Sequence, residues 1–183
     1  MKKETYALLV IDMQLVAFDG KITPPISHGS LLLDKVSTLI EACRSTNTPV
    51  MFAQTCAPSG APYAKDTHGW EIHPKITPRS DEPIVHKVGP SSFENPEFEQ
   101  ILNHLQTTEL IVCGTWTEGC VSITCRGALK RGYRVLLAAD GHSTVRDTEQ
   151  EALSIIAEQN ELLVERGASI SKIDDISRML GNF

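Results

Sequence analysis

The strongest constraint on the fold is a rhythm. Short, β-rich apolar runs recur at residues 6–11, 49–53, 83–88, 110–113 and 135–139, with a sixth near 168–170, and helical periodicity fills most of the gaps. Runs this short, bounded by polar residues, read as buried strands. Strands alternating with helices at this spacing must pair in parallel, because each return to the sheet needs a crossover. The expected architecture is α/β: a six-stranded parallel sheet with helices on both faces, forming three layers.

The helical segments carry their own signals. Leu32, Val36, Leu39, Ile40 and Cys43 share one face, as do Phe98, Ile101, Leu102 and Leu105. Asn95 followed by Pro96 reads as an N-cap with proline at the first helical position. Ala152, Ile155, Ile156 and Gln159 continue the pattern after Asp147, and Ser171 with Asp174 resembles a capping pair opening a terminal helix. Two long irregular segments, 19–30 and 56–79, interrupt the rhythm. Loops of that length in a compact domain are usually functional or disordered. There is no repeat or low-complexity linker, so residues 1–183 are expected to form one domain.

Charge narrows the function classes. A formal net charge of −6, with no run of basic residues, argues against nucleic acid as a partner. The first apolar run ends at Asp12, too soon for a membrane span or a secretory signal. Five cysteines (Cys43, Cys56, Cys113, Cys120 and Cys125) form no even framework and no Cys-x-x-Cys pair. That usage fits a reducing, cytoplasmic setting and no structural zinc.

In an open parallel sheet, ligands bind beyond the carboxyl ends of the strands. Asp12 ends the first run, Lys87 the third, and Cys120 follows the fourth by a short turn. An acid, an amine and a thiol are thus expected at one edge of the sheet. If a helix begins near Gly119, its N–H groups and dipole would favour a Cys120 thiolate, and the Lys87 ammonium would help. Asp12 would take the thiol proton and later return it to a leaving group. Each residue also has a plainer reading: a buried small apolar Cys120, a turn-capping Asp12, a solvated strand-end Lys87.

Three segments, "LLVIDMQ" (8–14), "VHKVGPSSF" (85–93) and "VCGTWTEGCVSITCRGALKRGYRVLLAADG" (112–141), occur in this order and spacing. Together they resemble the isochorismatase-like cysteine hydrolases, a superfamily that includes nicotinamidases, N-carbamoylsarcosine amidase, and biuret and ureidoacrylate hydrolases. The resemblance implies a Rossmann-like sheet, a triad of Asp12, Lys87 and Cys120, and a homo-oligomer, dimer or tetramer. It also implies a cis peptide between Thr115 and Trp116, turning the N–H groups of Trp116 and Cys120 into an oxyanion hole. The implied activity is hydrolysis of a C–N bond in a small amide, ureido or carbamoyl compound through a thioester. The alternatives are a non-catalytic or redox-sensing scaffold and vinyl ether hydrolysis, which true isochorismatases perform without the cysteine.

Residues 52–60, "FAQTCAPSG", lack the Asp-x-His…His metal pattern of nicotinamidases, and His68 and His73 have no carboxylate partner pattern. No metal and no cofactor are therefore expected. "GWEIHP" (69–74) resembles a loop of many non-nicotinamidase members, with Glu71 as a packing or ion-pair residue and His73 as a loop anchor. Gln14, Phe18, Trp70 and Trp116 are candidate substrate contacts, since ligand sites are mostly apolar with a few placed polar groups. Cys113 and Cys125 read as core, Thr117 and Thr124 as supports of the turn, and His142 as a loop residue.

Overall fold

The structure, a computed structural model, describes residues 5–181. Its six strands are β1 (Tyr6–Ile11), β2 (Val50–Thr55), β3 (Ile84–Lys87), β4 (Glu109–Thr115), β5 (Arg134–Ser143) and β6 (Ser169–Ser171). The helices are α1 (Gly29–Ser45), α2 (Pro96–His104), α3 (Ser122–Lys130), α4 (Glu149–Glu165) and α5 (Ile173–Leu180). The strands form one sheet in the order β3-β2-β1-β4-β5-β6, and every neighbouring pair is parallel.

The period of two along β1 sorts its side chains to two cores. Leu8 and Val10 pack with Val36, Leu39 and Ile40 of α1 and with Ile173 and Ile176 of α5. Leu9 and Ile11 point the other way, toward Phe98 and Leu102 of α2, Cys125 and Ala128 of α3, and Leu163 of α4. Both faces of the sheet are thereby covered, giving the three layers expected.

Several boundaries differ from the apolar runs. β2 continues to Thr55 and β4 to Thr115, because ladder hydrogen bonds depend on the backbone and not on an apolar side chain. β5 runs on to Ser143 through a bulge: Val112 pairs with Leu137, but Gly114 pairs with His142. His142 is therefore a strand residue and not a loop residue. The start of α4 is capped by Thr148 and Glu151 in a reciprocal capping box, one residue beyond Asp147. Ser171 and Asp174 do not cap α5. Its N-cap is Lys172, and the first helical N–H, that of Ile173, donates to Asp140 Oδ1 at 2.8 Å. The Asn95 cap on α2 forms as expected, accepting from Glu97 N at 2.9 Å.

Candidate active site

The carboxyl ends of β1, β3 and β4 converge because β4 passes unusually close to β1. Gly114 has φ +125, and a Cβ there would lie 2.1 Å from the carbonyl oxygen of Ile11. Only glycine tolerates both the dihedral and the approach. Just beyond this crossing, Thr115 Oγ1 donates to Asp12 O at 2.7 Å, and the Thr115–Trp116 peptide is cis. Asp12 itself takes a left-handed conformation, φ 48, as β1 ends, and its N–H donates to Ala53 O at 2.9 Å. Its carboxylate is turned toward β3.

Lys87, the last residue of β3, has a fully buried side chain. Its Nζ is 2.7 Å from Asp12 Oδ2, 2.7 Å from Thr55 Oγ1, 3.2 Å from Gly89 O and 3.3 Å from Cys120 Sγ. Thr55 closes the ring by donating to Asp12 Oδ1 at 3.0 Å. A buried ammonium is stable only when so surrounded. Asp12, Lys87 and Cys120 are thus in one hydrogen-bonded group, and Thr55 is a fourth member. Sequence reading passed over Thr55 because threonine at the end of a β-rich run is an ordinary strand former.

Cys120 does not sit at the first turn of a regular helix. The segment Thr117–Val121 is an irregular turn in which Gly119 is non-helical (φ −96, ψ −111), and α3 starts only at Ser122. Gly119 N and Val121 N both fold back onto Trp116 O, at 3.1 and 3.2 Å. The sulfur is only partly exposed, and burial pushes its pKa up to about 12, with Asp12 adding to the rise and Lys87 opposing it. The helix start near Gly119 that would favour a thiolate is displaced to Ser122, and burial together with Asp12 favours the thiol. Desolvation and the facing carboxylate outweigh the single ammonium, which leaves Asp12 as the group placed to accept the proton.

The remaining cysteines divide simply. Cys43, Cys113 and Cys125 are fully buried in the cores, as read for the last two, and burial raises each thiol. Cys56 is partly buried and accepts from Trp70 Nε1 at 3.2 Å.

Asp12, Thr55 and Cys120 form the floor of a cavity of about 340 Å³, with Lys87 buried beneath them. Val16, Val88, Pro90 and Trp116 supply its apolar walls, and Gln14, Thr23 and Tyr63 its polar ones. A larger cleft of about 690 Å³ lies at the opposite, amino ends of β2 and β3, but it holds no nucleophile. The Arg44 guanidinium there is paired with Glu82 and Glu41. We therefore assign the chemistry to the smaller cavity.

Two of the four candidate substrate contacts, Gln14 and Trp116, line this cavity, whereas Phe18 and Trp70 do not. Gln14 doubles as a clamp. Its Nε2 donates to Thr55 O and Trp70 O, and its Oε1 accepts from Thr55 N. Trp70 is spent on that loop junction, edge-on to His86, with its indole N–H on Cys56. Phe18 packs edge-on against His73, which anchors the loop: His73 N donates to Met13 O at 2.9 Å, and Nδ1 accepts from Lys75 N. Glu71 is exposed, and its carbonyl receives Leu15 N. His68 Nε2 lies 2.8 Å from Asp19 Oδ2, joining the two long loops. Among the described residues, no group of three or more His, Cys, Asp or Glu is arranged to hold a metal ion.

The turn is braced from both sides. Thr124 Oγ1 accepts from Ser92 N at 3.1 Å, tying α3 to the loop after Lys87. On the other side, Thr117 Oγ1 lies 2.9 Å from His142 Nδ1, and His142 Nε2 lies 3.0 Å from Asn160 Oδ1. An amide oxygen can only accept, so Nε2 carries the proton and Nδ1 accepts from the Thr117 hydroxyl. Burial holds this imidazole neutral, its pKa lowered to about 4.

Comparison with known proteins places the family and the fold. The Isochorismatase domain model matches residues 6–164. The chain belongs to the isochorismatase family. It is 35% identical over 138 residues to a streptothricin hydrolase of Streptomyces noursei, covering 75% of this chain and 49% of that protein. It spans about half the length of these streptothricin hydrolases. It is also 29% identical over 160 residues to nicotinamidase 3 of Arabidopsis thaliana, covering 80% of this chain and 77% of that one. A cysteine hydrolase from Pseudomonas syringae pv. phaseolicola shares the fold, with a TM-score of 0.89 at 19% identity over 100% of this chain and 99% of its own. The parallel α/β sheet is the fold shared with that solved structure. No helix among the described residues is long and apolar enough to cross a membrane.

Proposed function

We propose that this isochorismatase-family protein is a cysteine amidohydrolase that cleaves a C–N bond in a small amide, ureido or carbamoyl compound. The observation carrying the reading is the Lys87 ammonium, which touches Asp12, Thr55 and the Cys120 sulfur at once from beneath the floor of a cavity. A purely structural ion pair has no need of a thiol at its third corner. The names of two relatives, a nicotinamidase and a streptothricin hydrolase, point toward the same class of chemistry.

In the first half-reaction Cys120 Sγ attacks the carbonyl carbon as its proton passes to Asp12, forming the S–C bond and an oxyanion. The N–H groups of Trp116 and Cys120 receive that oxyanion, an interaction worth about 3–4 kcal/mol per donor in well-formed holes. The intermediate collapses with cleavage of the C–N bond, and the leaving amine or ammonia takes the proton from Asp12. Water then gives a proton to Asp12 and attacks the thioester. The C–S bond breaks, and sulfur regains the proton. Lys87 remains an ammonium throughout and balances the charge of Asp12 and of the attacking sulfur.

Ammonia release from a panel of small amides and ureido compounds tests the reading. Cys120→Ala and Asp12→Asn should each abolish turnover while circular dichroism and thermal unfolding report an intact fold. Ammonia release that survives in Cys120→Ala would remove Cys120 as the nucleophile.

A further inference from the structure

Beyond the bond that is cleaved, the cavity carries information about the charge of the molecule it admits, and this inference rests on the hydrolase reading above. The floor exposes one carboxylate, Asp12, which the buried Lys87 ammonium beneath it neutralises at 2.7 Å. Lys87 has nothing left to offer, since its other contacts are Thr55, Gly89 O and Cys120. Among the described residues that line the cavity there is no arginine, no histidine and no lysine. Lys21, two residues before the lining residue Thr23, is 64% exposed and turned to Asp19 and His68. Lys65, two residues after Tyr63, is exposed at the surface.

The polar wall groups mostly present lone pairs. Thr23 spends its hydroxyl proton on Val16 O at 2.8 Å, and Thr55 spends its own on Asp12. Both amide protons of Gln14 go to backbone carbonyls. Of the wall side chains, the Tyr63 hydroxyl and the Trp116 indole N–H are the donors left without a partner among the described residues. A carboxylate entering here would lose its water and find no cation, only a few neutral donors among the lone pairs of the walls. An uncharged group would instead cover Val16, Val88, Pro90 and Trp116 at no such cost. The volume of about 340 Å³ is at the small end for ligand sites.

We infer that the cavity selects small uncharged amides, with a ring-sized or branched acyl group and at most a neutral acceptor reaching Tyr63, and rejects amides of the same shape that carry a carboxylate. The rejection comes from an unpaired charge and not from size, so shape-matched pairs isolate it.

Two such pairs are meta-nitrobenzamide with meta-carboxybenzamide, and isovaleramide with malonamate. Turnover is measured with the wild-type protein, and binding separately with Cys120→Ala, read by quenching of Trp116 fluorescence in a Trp70→Phe background. The neutral member of at least one pair should bind and react about 100-fold better than its anion. Val88→Arg, an exchange at an 82% exposed rim position, should narrow that ratio at least about tenfold by supplying the missing cation. Equal or better use of the carboxylates, an unchanged ratio in Val88→Arg, or no binding of either member of both pairs would overturn the inference. Selective binding of the neutral members without turnover would support the inference and overturn the hydrolase reading.

Discussion

His142 couples the stability of the fold to pH. Its imidazole is buried and neutral between Thr117 and Asn160, with burial lowering its pKa to about 4 while Asn160 and Asp140 pull weakly the other way. The ordinary value is 6.5. As the pH falls below that value, the unfolded chain takes up a proton that the folded chain refuses, so stability falls until the folded pKa is reached and then levels off. At about 1.4 kcal/mol per pH unit, the interval from 6.5 to about 4 is worth about 3 kcal/mol. His142→Gln removes the titration while leaving an amide oxygen to accept from Thr117 and an amide N–H to donate to Asn160. Urea unfolding of both proteins, followed by tryptophan fluorescence at intervals from pH 7 to pH 4, gives the comparison. The variant should gain on the wild type by about 3 kcal/mol across that range, whatever their difference at pH 7. Parallel stability curves would mean that His142 titrates alike in both states, and the buried neutral imidazole with its fixed tautomer would have to be abandoned.

Other consequences concern the floor of the cavity. Lys87→Met strands a carboxylate with 1% side-chain exposure and should cost about 3–5 kcal/mol at pH 7 in denaturant unfolding; a loss below about 1 kcal/mol would contradict the pairing. Thr55→Val removes the hydroxyl that accepts from Lys87 and donates to Asp12, and should lower kcat about 10–100-fold with KM little changed. Thr55→Ser, which keeps the hydroxyl, should recover most of that loss, and equal rates for the two variants would remove Thr55 from the site. Because the Cys120 thiol is pushed up to about 12, its alkylation by iodoacetamide should be slow near neutral pH and still rising at the alkaline limit of the folded protein. A rate that is already level at pH 7 would show that Lys87 outweighs burial and Asp12.

Some of this site was legible in the residues. Asp12, Lys87 and Cys120 each follow an apolar run closely, and in a parallel sheet the ends of such runs lie on one edge. The close approach that requires Gly114 is supplied only by the fold, which sets Ile11 O against it. Phe18 and Trp70 illustrate the opposite case. Large aromatic residues in long loops suggest a pocket wall, yet both are consumed in joining the loops to each other and to β1 and β2. Thr55 and His142 gave no signal. One looks like any strand-end threonine, and the other lies beyond a bulge where the apolar pattern had already stopped.

By itself, the sequence determined the layer architecture, the strands and most of the helix faces, because these follow from local periodicity and the backbone's need for partners. It also determined which three side chains arrive at one edge. The state of those side chains belongs to the tertiary structure. Whether Cys120 rests as thiol or thiolate depends on how much water it loses and how near Asp12 and Lys87 stand, and charge–charge energies change steeply over the few ångströms that only the folded chain fixes. The same is true of what the cavity can admit. The chain holds many cations, but their exclusion from these walls is a fact of packing and not of composition.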